Sequence, residues 1–141
     1  MAGLASSKDG AVFRFEVPCD LSQVHAATQA VHQFLSEQGC GEAEVMDCKI
    51  ALVEACNNAI QNARPADRDL PVEIAAAVRA REIELRVTDH TPGFDWPAQA
   101  KLPAPEAERG RGIYLIQTVM DCTHYIRGGR DNVLVLRKKR V

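Results

Sequence analysis

The sequence predicts an α+β domain in which helices cover one face of a mixed or antiparallel sheet. Three observations carry this. Short segments that alternate apolar and polar residues occur once near the start and then as two pairs; two helical stripes separate the first segment from the first pair; a third helical stripe precedes the last pair. The resulting order is strand, helix, helix, strand, strand, long loop, helix, strand, strand, without internal repeat or low-complexity stretch. The chain has 141 residues, 46% hydrophobic and 26% charged, which suits one hydrophobic core. The whole of 1–141 is therefore expected to form a single domain.

The first strand is expected at Ala11 to Val17, where Phe13, Phe15 and Val17 share one side and Arg14 and Glu16 the other. Pro18 ends it and Asp20 is a suitable N-cap. Leu21, Val24, Val31, Phe34 and Leu35 then recur at helical spacing, giving a helix over about Leu21 to Gln38 that stops at Gly39. From Glu42 a longer helix carries Val45, Cys48, Leu52, Ala55, Ala59 and Ala63 on one stripe and ends before Pro65. Arg64 to Pro71 reads as a polar loop. Val72, Ile74, Ala76 and Val78, then Ile83, Leu85 and Val87, alternate on either side of a turn at Arg79 to Arg81, the pattern of an antiparallel hairpin.

His90 to Arg111 contains Pro92, Pro97, Pro103 and Pro105 and holds no period. A loop of that length in a small domain is usually functional, so it is a candidate mobile lid. Gly112 opens a third helix with Ile113, Ile116, Val119 and Met120 on its inner stripe. His124 to Arg127 and Val133 to Arg137 form the last hairpin, turning through Gly128 to Asp131.

Composition excludes several classes. Seventeen Lys and Arg against nineteen Asp and Glu leave a formal charge of -2, so no global positive field favours direct nucleic-acid binding. The longest apolar run, Ile74 to Val78, falls far short of the roughly twenty residues of a membrane-spanning helix. Met1 to Gly10 lacks the basic start and apolar stretch of a secretory signal, which makes the cytoplasm the expected location. The five cysteines, Cys19, Cys40, Cys48, Cys56 and Cys122, contain no Cys-x-x-Cys pair and are expected to be buried thiols. Arg137 to Arg140 is a small basic cluster, expected to be a solvated strand end.

Three local features can carry chemistry. Glu54 and Asn58 stand four apart on the second helix, on one face, and Asn62 extends their row. Burying such groups in an apolar helix costs several kcal/mol unless something satisfies them, and a ligand can. Asp89 ends a strand and leads into Thr91-Pro92-Gly93-Phe94-Asp95, where an acceptor carboxylate suits an exocyclic amine. Gly110-Arg111-Gly112 precedes the third helix, and unobstructed amides at a helix N-terminus suit phosphate oxygens. Taken singly, these features also read as a solvated helix edge, an Asx turn and an ordinary helix start.

Together, Glu-x-x-x-Asn in a helix, Asp-x-x-x-Gly-Phe-Asp after a strand and Gly-x-Gly opening a later helix resemble the N, G1 and G2 boxes of the GHKL ATPase superfamily. Within it the chain is most similar to the small bacterial anti-sigma factor serine/threonine kinases of partner-switching circuits. The matching segments are Val53 to Ala63, Leu85 to Asp95 and Arg109 to Asp121, and element order agrees along nearly the whole chain. The resemblance implies the Bergerat-type two-layer sandwich and the binding of ATP with Mg²⁺. It implies that Glu54 is the catalytic base acting on a serine or threonine hydroxyl, and that Asn58 contacts Mg²⁺. It further implies that Asp89 accepts from the adenine amine, that Gly93 lets backbone approach the base, and that Gly110 and Gly112 cradle phosphates. By the same resemblance Asn62, Arg109 and Arg111 are candidate contacts to the nucleotide's phosphates. Implied partners are an anti-anti-sigma (STAS-domain) protein as substrate, a sigma factor or other regulator as captive, and a second copy in a homodimer, with no membrane contact.

Two residues depart from the family pattern. Thr91 stands where the G1 box often begins with glycine, and a β-branched residue resists positive φ, so an altered adenine loop is expected. Asn62 stands where many relatives carry histidine, though its amide still hydrogen-bonds. The competing reading is a nucleotide-responsive binding module that no longer transfers phosphate. Walker-type and eukaryotic-type kinases are excluded, because Gly-x-x-x-x-Gly-Lys-Ser/Thr, His-Arg-Asp and Asp-Phe-Gly are all missing.

Overall fold

The computed structural model describes residues 3–7, 10–105 and 111–141. The strands are β1 (Gly3–Ser7), β2 (Gly10–Val17), β3 (Val72–Val78), β4 (Glu82–Asp89), β5 (Cys122–Arg127) and β6 (Asn132–Lys139); the helices are α1 (Val24–Glu37), α2 (Glu42–Gln61) and α3 (Arg111–Val119). Among the described residues the strands make one six-stranded sheet in the order β1-β2-β3-β4-β6-β5, with every neighbouring pair antiparallel. The expected α+β class and one-sided helix layer are present, and the sheet is antiparallel throughout rather than mixed.

Strand alternation builds the core. Val17, Val72, Ile74, Ala76, Val78, Ile83, Leu85, Val87, Leu134 and Leu136 fall on one face by register, and all are buried. Of the stripe expected on the second helix, Val45, Cys48, Leu52, Ala55 and Ala59 lie on α2 and are buried, while Ala63, also buried, falls just beyond the C-cap Asn62 because the helix ends at Gln61. Leu52 is wholly covered, a burial contributing about 2 kcal/mol. α3 packs along α2, and α1 packs on its other side.

The element ends follow local chemistry. Asp20 caps as expected, its Oδ1 accepting from Ser22 N–H at 2.9 Å, but the first turn it starts is a 3₁₀ turn over Leu21–Gln23. Leu21 is therefore 49% exposed and outside the core, contrary to its place on the predicted stripe. Gly39, at φ +80, closes α1 in the left-handed conformation that glycine adopts without strain. At the start of α2, Glu44 Oε1 accepts from Gly41 N–H at 3.0 Å, half of a capping box, since Gly41 has no side chain to return the bond.

Three further expectations are corrected. A strand, β1, precedes the predicted first one. Gly3 to Ser7 shows no alternation, and its pairing with β2 supplies the order that its own sequence does not. The last hairpin is longer than predicted, because the ladder runs from Cys122↔Arg137 to Arg127↔Asn132. Only Cys48 and Cys56 are buried thiols, both pushed up to about 12 by burial; Cys19 and Cys40 are half-buried and Cys122 is exposed at the start of the edge strand β5.

The basic C-terminal cluster is largely engaged within the fold. Arg137 pairs with Glu84 at 3.1 Å, Lys138 with Asp47 at 2.9 Å, and Arg140 donates to Arg79 O at 2.6 Å. Glu84 faces away from the helices and is gripped by Arg86 (2.9 Å) and Arg79 (3.6 Å) as well. Burial pushes its carboxyl up, but the hydrogen bonds from Arg86 and Arg137 outweigh this and hold it below the usual carboxylate range.

Candidate functional site

The second helix brings Glu54, Asn58 and Asn62 into one row, as its 3.6-residue period requires. Glu54 and Asn58 are half-buried, and Asn62 is exposed at the helix C-terminus. Asn62 Nδ2 donates to Asn58 Oδ1 at 3.4 Å, a long bond that leaves the Asn58 carbonyl available to a harder partner. Across from this row lies the start of α3. A Cβ built on Gly112 would stand 2.9 Å from Glu54 Oε2, so the carboxylate rests close against the glycine and would have to shift for any larger residue there. Helix α3 begins at Arg111, one residue earlier than predicted. The Arg111 side chain donates to Ala104 O (3.3 Å) and Pro105 O (2.7 Å). Arg109 and Gly110 lie outside the described residues.

The second group forms at the end of β4. Asp89, 8% exposed, accepts at one oxygen from three donors: Thr91 N–H (3.1 Å), Thr91 Oγ1 (2.9 Å) and Asn132 Nδ2 (2.9 Å). Among the described residues the other oxygen, Oδ2, takes no hydrogen bond. The carboxylate is thus fixed in orientation with one acceptor to spare, the arrangement that reads an amine. Thr91 works without positive φ, which among non-glycine described residues does not occur. Instead its hydroxyl donates to Asp89 and accepts from Gly93 N–H at 3.1 Å. The positive φ falls at Gly93, +79, where a Cβ would meet Asn132 Oδ1 at 2.7 Å and Arg127 Nε at 2.9 Å. Thr91 thus takes its place in the loop without strain, through these two hydrogen bonds.

The loop after β4 is irregular, as expected, yet bound to the rest of the fold along its length. Arg127 holds Pro92, Gly93 and Asp95, and Tyr125 packs Phe94 (5.0 Å) and Trp96 (5.7 Å). Gln117 donates to Pro97 O at 2.9 Å and accepts from Ala100 N–H at 2.7 Å. Up to Pro105 it is a strapped loop rather than a free lid. Burial pushes the Tyr125 hydroxyl up, in keeping with its place under this loop.

Sequence reasoning missed Asn132 and Arg127. The signal was available in the last hairpin: Asn132 continues the Leu134, Leu136 row and Arg127 the Tyr125 row, so both stand on the core-facing side where a polar residue asks for a reason.

A cation would need oxygen donors here. Among the described residues no three His, Cys, Asp or Glu side chains gather into a metal cage. The available Asn58 carbonyl suits a hard ion such as Mg²⁺, which takes one or two protein oxygens and completes its shell with water and phosphate. The residues therefore fit that ion when it arrives with a nucleotide.

An antiparallel sheet under one helix layer, with a carboxylate-amide helix row and a strand-end acceptor beside a glycine loop, defines a nucleotide-binding ATPase domain. The chain belongs to the histidine kinase-like ATPase domain family, whose pattern matches residues 17–138. It is 34% identical over 95 residues to the serine-protein kinase RsbW of Bacillus licheniformis, covering 61% of this chain and 59% of that one. It is 29% identical over 119 residues to the anti-sigma F factor of Clostridium perfringens strain SM101, covering 80% and 85%. The chain thus spans less than two thirds of the length of the Bacillus licheniformis relative. Its fold matches the crystal structure of the RsbU and RsbW domains of Rv1364c from Mycobacterium tuberculosis with a TM-score of 0.70 at 14% identity, covering 92% of this chain and 32% of that one. No described helix is long and apolar enough to cross a membrane.

Proposed function

We propose that this chain is an ATP-dependent protein-serine/threonine kinase that phosphorylates an anti-anti-sigma (STAS-domain) antagonist and sequesters a sigma factor or equivalent regulator. The observation that carries the reading is the placement of Glu54, a half-buried carboxylate set against Gly112 and one helical turn from Asn58. The kinase and anti-sigma names of its relatives support it.

Bound ATP with Mg²⁺ supplies an electrophilic phosphoryl group and the charge to polarise it. Asp89 Oδ2 accepts from the adenine amine, with Thr91 and Asn132 fixing its direction. Asn58 contributes a carbonyl to the cation, and Asn62, Arg109, Arg111 and the amides of Gly110 and Gly112 hold phosphate oxygens. With ATP bound, Glu54 would orient the substrate hydroxyl and take its proton as that oxygen bonds to the terminal phosphorus and the bond to the departing ADP breaks, a role worth about 10²–10⁴-fold in rate. Family likeness adds a homodimer working in the cytoplasm, where ATP and sigma factors are found.

The test is an ATP titration of the purified chain with and without Mg²⁺, followed by radiolabel transfer to an anti-anti-sigma protein of the same genome. Mg²⁺-dependent binding with transfer is expected. Binding without transfer to any such protein overturns the kinase assignment, and no binding overturns the site. Sedimentation of the chain alone and with a sigma factor checks the dimer and the capture.

A further inference from the structure

The end of the sheet carries a row of polar side chains across three strands. Asp89 on β4 is in register with Asn132 on β6, and Asn132 with Arg127 on the edge strand β5. The middle member is fully buried. Its Nδ2 donates to Asp89 Oδ1 at 2.9 Å and to Thr91 O at 2.8 Å, which orients the amide, and its Oδ1 has no partner. The outer member reaches over the loop that follows Asp89. Arg127 Nε donates to Pro92 O at 3.1 Å, Nη2 to Gly93 O at 3.4 Å, and Nη1 to Asp95 Oδ1 at 3.2 Å.

These bonds divide by strength. Asp95 is fully exposed and the arginine about half exposed, so their ion pair contributes little by itself. The two carbonyl bonds fix backbone, one on each peptide flanking the Gly93 α-carbon. Gly93 is held at φ +79, and a Cβ on it would run into both Asn132 Oδ1 and the Arg127 side chain. A planar guanidinium can meet three acceptors at once in this way, whereas an ammonium is a single point charge.

We propose that Arg127 is a positioning residue for the nucleotide: from the edge strand it locks the Pro92–Asp95 loop in the shape that receives the base. The inference rests on the nucleotide reading above and adds to it a residue outside all three sequence boxes. Preorganising a loop improves affinity by removing an ordering cost from binding, and leaves the chemical step alone. Arg127 is expected to act on ATP affinity and KM, with kcat unchanged.

Calorimetric titration with Mg²⁺-ATP and steady-state transfer are measured on the full chain, for wild type, Arg127→Ala and Arg127→Lys. Trp96, the single tryptophan, stacks on Tyr125 and reports the loop by its emission. Expected for Arg127→Ala are a Kd and KM raised about tenfold, a kcat within twofold of wild type, and altered Trp96 emission before ATP is added. Arg127→Lys is expected to recover only part of the affinity, and it decides the matter should the alanine variant fail to fold. Wild-type affinity in either variant overturns the proposal, as does a fall in kcat with KM unchanged. A wild-type chain that binds no ATP overturns the nucleotide reading itself, an outcome distinct from variants that bind like wild type.

Discussion

The carboxylate of Glu54 rests in the space a side chain on Gly112 would fill, since a Cβ there would come within 2.9 Å of Glu54 Oε2. The contact joins α2 to the start of α3, and it sets apart two effects of one substitution. Alanine is the better helix former by about 1 kcal/mol, so Gly112→Ala should hold or raise the melting temperature. The added methyl displaces the flexible end of Glu54, and phosphoryl transfer should fall at least tenfold. Thermal melts and radiolabel transfer check the two halves; wild-type transfer in the variant would show that the carboxylate needs no fixed place beside α3.

Within the α2 row, base and cation roles should separate. Glu54→Gln keeps the shape and loses the proton acceptor, so transfer should drop about 10²–10⁴-fold with ATP affinity preserved. Asn58→Ala removes the carbonyl offered to the cation and should weaken ATP binding in Mg²⁺ more than in its absence. Titrations with and without the metal distinguish them. A normal transfer rate in Glu54→Gln would take the base assignment away.

At the sheet end, the prediction turns on which oxygen of Asp89 is engaged. Its Oδ1 already accepts from Thr91 and Asn132, so in Asp89→Asn the new carbonyl can keep those donors and the new amide group takes the free position. A donor then faces the adenine amine. ATP affinity should fall about tenfold or more, the loss expected when a buried polar pair is mismatched, while the circular dichroism spectrum stays unchanged. Unaltered affinity would place the base elsewhere.

How much of this was legible depended on whether the cause was local. The α2 stripe could be read residue by residue because helical period and burial coincide there; its five members on the helix are buried, and Ala63 is buried just beyond its end. β1 could not be read, since Gly-Leu-Ala-Ser-Ser owes its strand to pairing with β2. Leu21 fits the helical spacing of α1, yet the 3₁₀ turn rotates it out to solvent. Glu54, Asn58, Asp89 and Gly93 stood out because each sits inside a spaced motif. Asn132 and Arg127 act through strand register, across 43 and 35 residues of chain to Asp89 and Pro92, and no short window contains both partners. Thr91 was legible as a departure from the family pattern, but its compensating hydrogen bonds were not.

Glu84 lies on the sheet face turned away from the helices, where register places it opposite Arg137 and Ala77. Glu84 is held below the ordinary carboxylate range of about 4.3 by Arg86 and Arg137, against the opposing effect of burial. A group whose folded-state pKa is depressed adds stability above its unfolded value, and that stability is lost as pH falls through the folded one. The three arginine partners are 39%, 47% and 46% exposed, so solvent screening limits the contribution to about 1 kcal/mol. Glu84→Gln should therefore melt about 3 °C below wild type at neutral pH, and the gap should close as pH drops below about 4. Melting curves at both pH values check this. A gap that persists undiminished in acid would mean that Glu84 stabilises the sheet through packing rather than through its charge.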